Sequence, residues 1–399
     1  MQTLRFLHKI LADSAPVVNA LRLKSLLAAV QALIDGQRLG LTALGRHLPG
    51  DTAPKHAIKR MDRLLGNPHL QQERPLFYWL VTPLLVGNTP HPRILVDWSP
   101  IDDRGQHFVL RAAIPFAGRS FPIYEKVHHK DACPVCQRHL LDALAELLPE
   151  GTQPILVTDA GFKGPWFREV EARGWYYVGR LRRPTHLRLS GEEWEPVADL
   201  FAGARRTPEA LGKAELVKKS PLSTRAYRVR HVAKGRRHLT KQGKPSRAKR
   251  SLKAAKGHRE PWVLVSNLPA SFTSAKKVVA IYRQRMQIEE GFRDVKSPLF
   301  GLGFGMHQTR SARRIEILLL IAMLASLVML ICGLKIHHDG DTQRFQSNSL
   351  RSRSVLSVWR LGREALRHSP NLLSRCRPDR LTEFLRREVI TQHGGDKGM

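Results

Sequence analysis

Residues 93–99 read RILVDWS and residues 154–162 read PILVTDAGF. Each is a short apolar run that ends in an acid, Asp97 in the first and Asp159 in the second. Roughly four to eight apolar residues bounded by turn signals predict a buried strand. Between the two runs, 108–114 and 120–125 read as further strands and 137–148 as a helix. After Asp159, 167–173 reads as a short helix and WYYVGR (175–180) as another strand. Acids at the ends of neighbouring strands can converge on one site, as at strand ends in other α/β folds.

Three antiparallel strands, a helix, then a strand with its acid at the end match the ribonuclease H-like α/β fold. A third acid extends the pattern. Residues 281–296 read IYRQRMQIEEGFRDVK. At about 100° per residue, Tyr282, Arg285, Glu289 and Lys296 fall within roughly 60° of arc. Ile281, Ile288, Phe292 and Val295 form a neighbouring apolar stripe. The spacing predicts one amphipathic helix, starting near Ser274, with a lone carboxylate among cations on its polar side. Taken alone, such a face equally fits a solvated surface carrying ion pairs. Glu290 lies about 100° round the helix from Glu289, and Asp102 and Asp103, after Pro100, read as turn acids.

The chain has 399 residues, with 66 Lys and Arg against 34 Asp and Glu, a net charge of +32. The excess runs along the whole sequence, which fits a long polyanion, nucleic acid before an anionic membrane surface. The N-terminal apolar run is too short for a signal peptide. Four cysteines do not make a disulfide framework, so a reducing cytoplasm is expected. Residues 317–334 carry no charge and reach the length of a membrane span. The expectation is a buried core helix and no membrane.

Residues 1–85 read as a helical domain. A helix over 24–35 ends near Gly36; Thr42 is placed as the cap of a short helix, and Thr52 as the cap of a second that ends near Gly66. In the second, Ile58, Met61, Leu64 and Leu65 face inward, and Lys55, Lys59 and Arg63 line the outer face. Helix, turn, helix with a basic outer face resembles a DNA-reading helix-turn-helix. The catalytic domain is placed at 86–344. Within it, 180–265 reads as irregular and strand-poor, and 228–259 has no acid and little to bury. The basic segment 345–399 reads as a separate helical element.

Chemistry at a DNA phosphodiester requires an activated oxygen nucleophile, neutralised charge at phosphorus and a stabilised leaving oxygen. Two divalent metals held by carboxylates supply all three. Asp97, Asp159 and Glu289 are the candidates for that metal site.

These residues carry a resemblance to a known family. KHAIKRMDRLLGN, ILVDWS, GRSFPIYEK, VTDAGFKGPWF, EPWVLVSNLP and YRQRMQIEEGFRDVKSPLFGLG together resemble the bacterial insertion-sequence transposases of the DDE class defined by the YREK signature. The likeness covers nearly the whole chain and is closer to the transposon-ten type than to the transposon-five type. It implies a ribonuclease H-like catalytic core with a β-rich insertion, preceded by a helical DNA-end-binding domain and followed by a helical segment used for dimerisation. It implies Asp97, Asp159 and Glu289 as the catalytic, metal-binding triad for Mg²⁺, with Mn²⁺ as a substitute. Tyr282, Arg285 and Lys296 would hold the strand being cut, and Trp262 would stack on a flipped base. Met286 stands where the transposon-five type has a second tryptophan. The implied activity is cut-and-paste transposition by a homodimer on double-stranded DNA in the bacterial cytoplasm, at the nucleoid. The resemblance leaves Cys133 and Cys136 unexplained; with His128, His129 and His139 nearby they are a weak zinc signal.

Overall fold

The uncharged run 317–334 forms the middle of a 27-residue helix, Ala312–His338, and all of it is buried. With a mean hydropathy of 2.9 over its most apolar window, this helix is apolar enough to cross a membrane. In the computed structural model it is instead the core around which one half of the protein packs. The structure describes residue 7 and residues 18–393, apart from 103–104, 232–243, 271–273, 348, 351 and 370–377. The chain divides into two compact units, Met1–Thr152 with Met286–Met399, and Gln153–Arg285.

The first unit begins with helices α1 (Ala20–Gly36), α2 (Leu41–Arg46), α3 (Pro54–Leu65) and α4 (Pro68–Val86). The expected caps differ from the observed ones. Gly40 precedes α2, so Thr42 lies inside it; Ala53 precedes α3 and makes no side-chain cap. Pro54 fills the first position of α3, where a missing N–H costs nothing and its fixed φ already suits a helix. Met61, Leu64 and Leu65 are buried and Ile58 half-buried, while Lys55, Lys59 and Arg63 are exposed. The two helices touch where Gly45 lies; a Cβ there would stand 2.6 Å from the Ile58 Cα. Residues 47–53 join them, longer than the about three to four residues of a typical helix-turn-helix.

Strands β1 (Arg93–Pro100), β2 (Phe108–Phe116) and β3 (Arg119–His128) form an antiparallel meander in the order β3-β2-β1, followed by α5 (Pro134–Leu147). The second unit holds β4 (Ile155–Thr158), α6 (Gly164–Glu171), β5 (Tyr176–Leu181), β6 (His186–Leu189), β7 (Trp194–Pro196), β8 (Glu209–Leu216), β9 (Leu222–Val229), α7 (Lys249–Arg259), β10 (Trp262–Ser266) and α8 (Ala275–Arg283). Its strands run in the order β4-β5-β10-β9-β8-β6-β7, with β4 and β5 parallel and the other neighbours antiparallel. Two expectations are corrected here. The stretch 180–265 is not strand-poor, because it holds the paired strands β6 to β9, in which Leu187 is opposite Leu216 and Leu216 opposite Leu222, all three buried. Lys249–Arg259 is helical: Ala255 is buried, and Glu260 at its end pairs with Arg182. The rest of the acid-free run, 232–243, lies outside the described residues.

The chain then returns to the first unit with α9 (Met286–Lys296), α10 (Ala312–His338), α11 (Val358–His368) and α12 (Pro378–His393). Instead of standing apart, α11 and α12 pack on α10, and α11 buries Trp359, Leu361 and Ala365. The single helix expected over 281–296 is two helices. At the break, Gln284 and Arg285 donate to the carbonyls of Ile281 and Tyr282, the i→i+3 pattern that tightens and ends a helix.

Candidate active site

In the first unit, β1 does not end at Asp97 as expected but pairs with β2 as far as Pro100, so Asp97 is a half-buried residue within the strand, and its Oδ1 accepts the Trp98 N–H at 2.9 Å. Directly opposed residues of antiparallel strands share a face. Asp97 is opposite Arg111 of β2, and Arg111 is opposite Glu125 of β3. These three side chains therefore make a row of alternating charge across the meander. Arg111 gives Glu125 Oε1 two hydrogen bonds, of 2.8 and 2.6 Å, and lies 4.0 Å over the Phe292 ring of α9. Helix α9 thus covers the face that carries Asp97.

The apolar stripe of α9 explains that docking: Ile288, Phe292 and Val295 are buried, as the spacing predicts. Gly291 allows close approach, since a Cβ there would stand 2.5 Å from Ser120 Oγ. Lys296 Nζ donates to Ser99 Oγ at 2.9 Å and to the Pro100 carbonyl at 2.6 Å. Ser99, two residues from Asp97, shares its face. Glu289 is half-buried and, seven residues before Lys296, lies on the same helical stripe to within about 20°. Glu290, off that stripe, pairs with Arg293. Asp97, Glu289 and Lys296 are therefore carried by two elements packed face to face.

In the second unit, Asp159 follows β4 directly, and its Oδ1 accepts the Gly161 N–H at 2.7 Å, an Asx-type turn. Tyr282 is buried. Burial pushes its phenol up, opposed by the Arg285 and Arg180 cations and assisted by the Asp159 charge. Trp262 opens β10 with its ring edge-on to Tyr282 at 4.9 Å and stacked on His231 at 4.5 Å and 16°. Asp159, Tyr282, Arg285 and Trp262 thus form one neighbourhood.

Sequence reasoning missed Arg180 on β5. Its guanidinium is pushed down by burial, and among the described residues it makes only a long 3.5 Å bond to the Glu260 carbonyl. The signal was present: an Arg inside the apolar strand WYYVGR. Met286 begins α9 and is 41% exposed, in keeping with a residue not needed for the core. The zinc signal at Cys133 and Cys136 gains no support, because among the described residues no three His, Cys, Asp or Glu are grouped to hold a metal within either unit.

Residues 89–328 match the transposase DDE domain family. That interval is more than half of the chain and contains β1, β4, α9 and most of α10, so the protein belongs to this family of transposases. Enzymes of this class act on DNA and generally use divalent metal ions. A search of curated proteins returned no match.

Proposed function

We propose that the chain is a cut-and-paste transposase with a ribonuclease H-like core. It binds terminal inverted repeats through the 1–85 domain, with Lys55, Lys59 and Arg63 on the DNA. It works as a homodimer in the synaptic complex, with 345–399 contributing to the pairing. In the bacterial cytoplasm its place is the nucleoid, as its charge suggests. The observation that carries the reading is the pair of aspartates, Asp97 in strand β1 and Asp159 directly after strand β4, together with Glu289 on a helix docked over the Asp97 face, all inside the matched domain.

Asp97, Asp159 and Glu289 would hold Mg²⁺, or Mn²⁺ in its place. The donor set fits, being three carboxylates and no nitrogen or sulfur. Bound there, the metal supplies charge neutralisation and an activated oxygen. Lys296 and Arg285 hold phosphates of the cleaved strand, and Arg180 joins them. Tyr282 orients this group, and Trp262 receives a base turned out of the stack when the hairpin forms. Stacking on an indole recovers about 1–3 kcal/mol of the extrusion cost.

The test is a labelled duplex carrying the inverted repeats that flank the coding sequence, incubated with Mg²⁺. Nicked and hairpin species should form, and strand transfer should follow. Asp97→Ala should slow cleavage by about 10³-fold or more, several kcal/mol of transition-state stabilisation, while a gel shift of the same DNA is retained. No products from the wild-type chain, or unchanged products from Asp97→Ala, would sink the reading.

A further inference from the structure

Transposition chemistry has no use for Cys133-Pro134-Val135-Cys136, where the chain enters α5. Pro134 takes the first helical position and Cys133 is the N-cap. The Cys133 Sγ accepts the Cys136 N–H at 3.3 Å, filling with sulfur the place that an oxygen takes at most helix starts. Both sulfurs therefore belong to one helical turn. Both residues are half-buried, and the residues around them, from His129 to Ala132 and again Pro134 and Val135, are exposed. A reagent can reach the pair.

The two thiols are not equivalent. Cys133 is held below its ordinary range, first by a hydrogen bond from the Cys136 thiol, then by the Cys136 N–H, with Lys130 assisting. Burial, with the Cys133 hydrogen bond, pushes Cys136 up to about 11. A reachable attacking thiolate beside a thiol that keeps its proton is the arrangement of a thiol–disulfide exchange pair. A zinc site would need two more ligands. His128 instead stands edge-on to Trp98, and His129 lies against His107 and the Gln106 carbonyl.

We propose that Cys133 and Cys136 are a thiol–disulfide exchange site that closes to an intrachain disulfide at the expense of a low-molecular-weight disulfide. Cys133 thiolate attacks one sulfur of that disulfide; its S–S bond breaks, and one thiolate leaves and takes up a proton. Cys136 then loses its proton to solvent and attacks Cys133 Sγ, expelling the second thiolate. The protein dithiol is oxidised by two electrons, and the small disulfide is reduced to two thiols. The site lies outside the proposed carboxylate centre, so it stands or falls independently of the transposase reading.

The experiment uses the full chain and oxidised glutathione as probe at pH 7, with alkylation and peptide mapping of all four cysteines. The expected product is a Cys133–Cys136 disulfide that dithiothreitol reverses. Before oxidation, Cys133 should alkylate about tenfold faster than Cys136. Cys136→Ser should stop at glutathione bound to Cys133, and Cys133→Ser should leave Cys136 unmodified. Cys332, which is buried, is the internal control. Free thiols at both positions after equilibration in the wild-type chain would overturn the proposal without any variant. So would glutathione accumulating equally on Cys136 in Cys133→Ser, or zinc bound to the pair in the purified protein.

Discussion

In the unit that carries Asp97 and Glu289, buried and half-buried cations face the protein's own acids. Arg111 is bound to Glu125, Arg74 faces Glu316 at 3.5 Å and Arg119 meets Asp294 at 2.7 Å. Glu316 also accepts the Val127 N–H and faces Lys126, which joins α10 to β3. In the unit that carries Asp159, Arg180 is two-sided in another sense. It sits with Arg285 around Tyr282, its hydrogen bond goes to the Glu260 carbonyl and not to an acid, and its Nε, like that of Arg74, has no hydrogen-bond partner among the described residues. A buried unpaired donor is costly unless a ligand satisfies it. Charges paired inside the protein make a scaffold; a cation short of acceptors is where the phosphate contact proposed above can be tested.

The largest effect should come from breaking the scaffold. Arg111→Met leaves Glu125 buried without its bidentate partner, although Tyr78 still reaches it at 3.3 Å. Removing one member of a buried pair costs about 3–5 kcal/mol. Urea unfolding followed by tryptophan fluorescence should show an early transition shifted by that amount. An unchanged midpoint would mean that the row beneath α9 is not what fixes it.

A pH-dependent change of slightly smaller size is expected at Asp294 on the same helix. Burial raises its carboxyl from the ordinary 3.8 to about 6, with Arg119 pulling the other way. The folded state then keeps a proton that the unfolded chain gives up. Stability present below pH about 4 is lost as pH rises through about 6, by about 3 kcal/mol. Asp294→Asn should remove that slope from the difference between the two unfolding curves; parallel curves would mean that Arg119 keeps the carboxylate ionised.

Turning to the other unit, Arg180→Gln should weaken binding to end DNA by about 2 kcal/mol, roughly 30-fold. The dependence of log K on log salt should become shallower by about one phosphate contact. If affinity falls while the salt slope stays the same, Arg180 supports β5 and does not touch the backbone.

The same contrast explains what the sequence disclosed. Asp97 and Asp159 were legible because each ends an apolar run, and the buried stripe of α9 because its spacing is helical. The buried helix around 317–334 was legible from composition. The break at Gln284 was not, since no Gly or Pro marks it and only the i→i+3 bonds reveal it. Caps were misread where Thr42 and Thr52 looked suitable but Gly40 and Ala53 took the positions. Strands β6 to β9 were hidden by short, charged, half-exposed segments such as HLRL and WEP, whose pairing is settled by tertiary context. Arg180 was passed over because its one cue, an Arg inside the apolar strand WYYVGR, does not say that the guanidinium is buried.

The smallest effect separates a ready site from a covered one. One face of Trp262 is already occupied by the His231 ring at 4.5 Å, nearly parallel. An extruded base would have to displace it. An aromatic pair of this kind contributes about 0.5–1.5 kcal/mol. His231→Ala should therefore tighten binding of an end duplex with an unpaired base beside the cut by about 1 kcal/mol, roughly fivefold. A 2-aminopurine at that base would report the stacking. The gain should vanish in the double variant with Trp262→Ala, because nothing would then remain to uncover. If His231→Ala weakens binding while Trp262→Ala does not, the imidazole touches the DNA itself, and the indole belongs to the fold of the second unit.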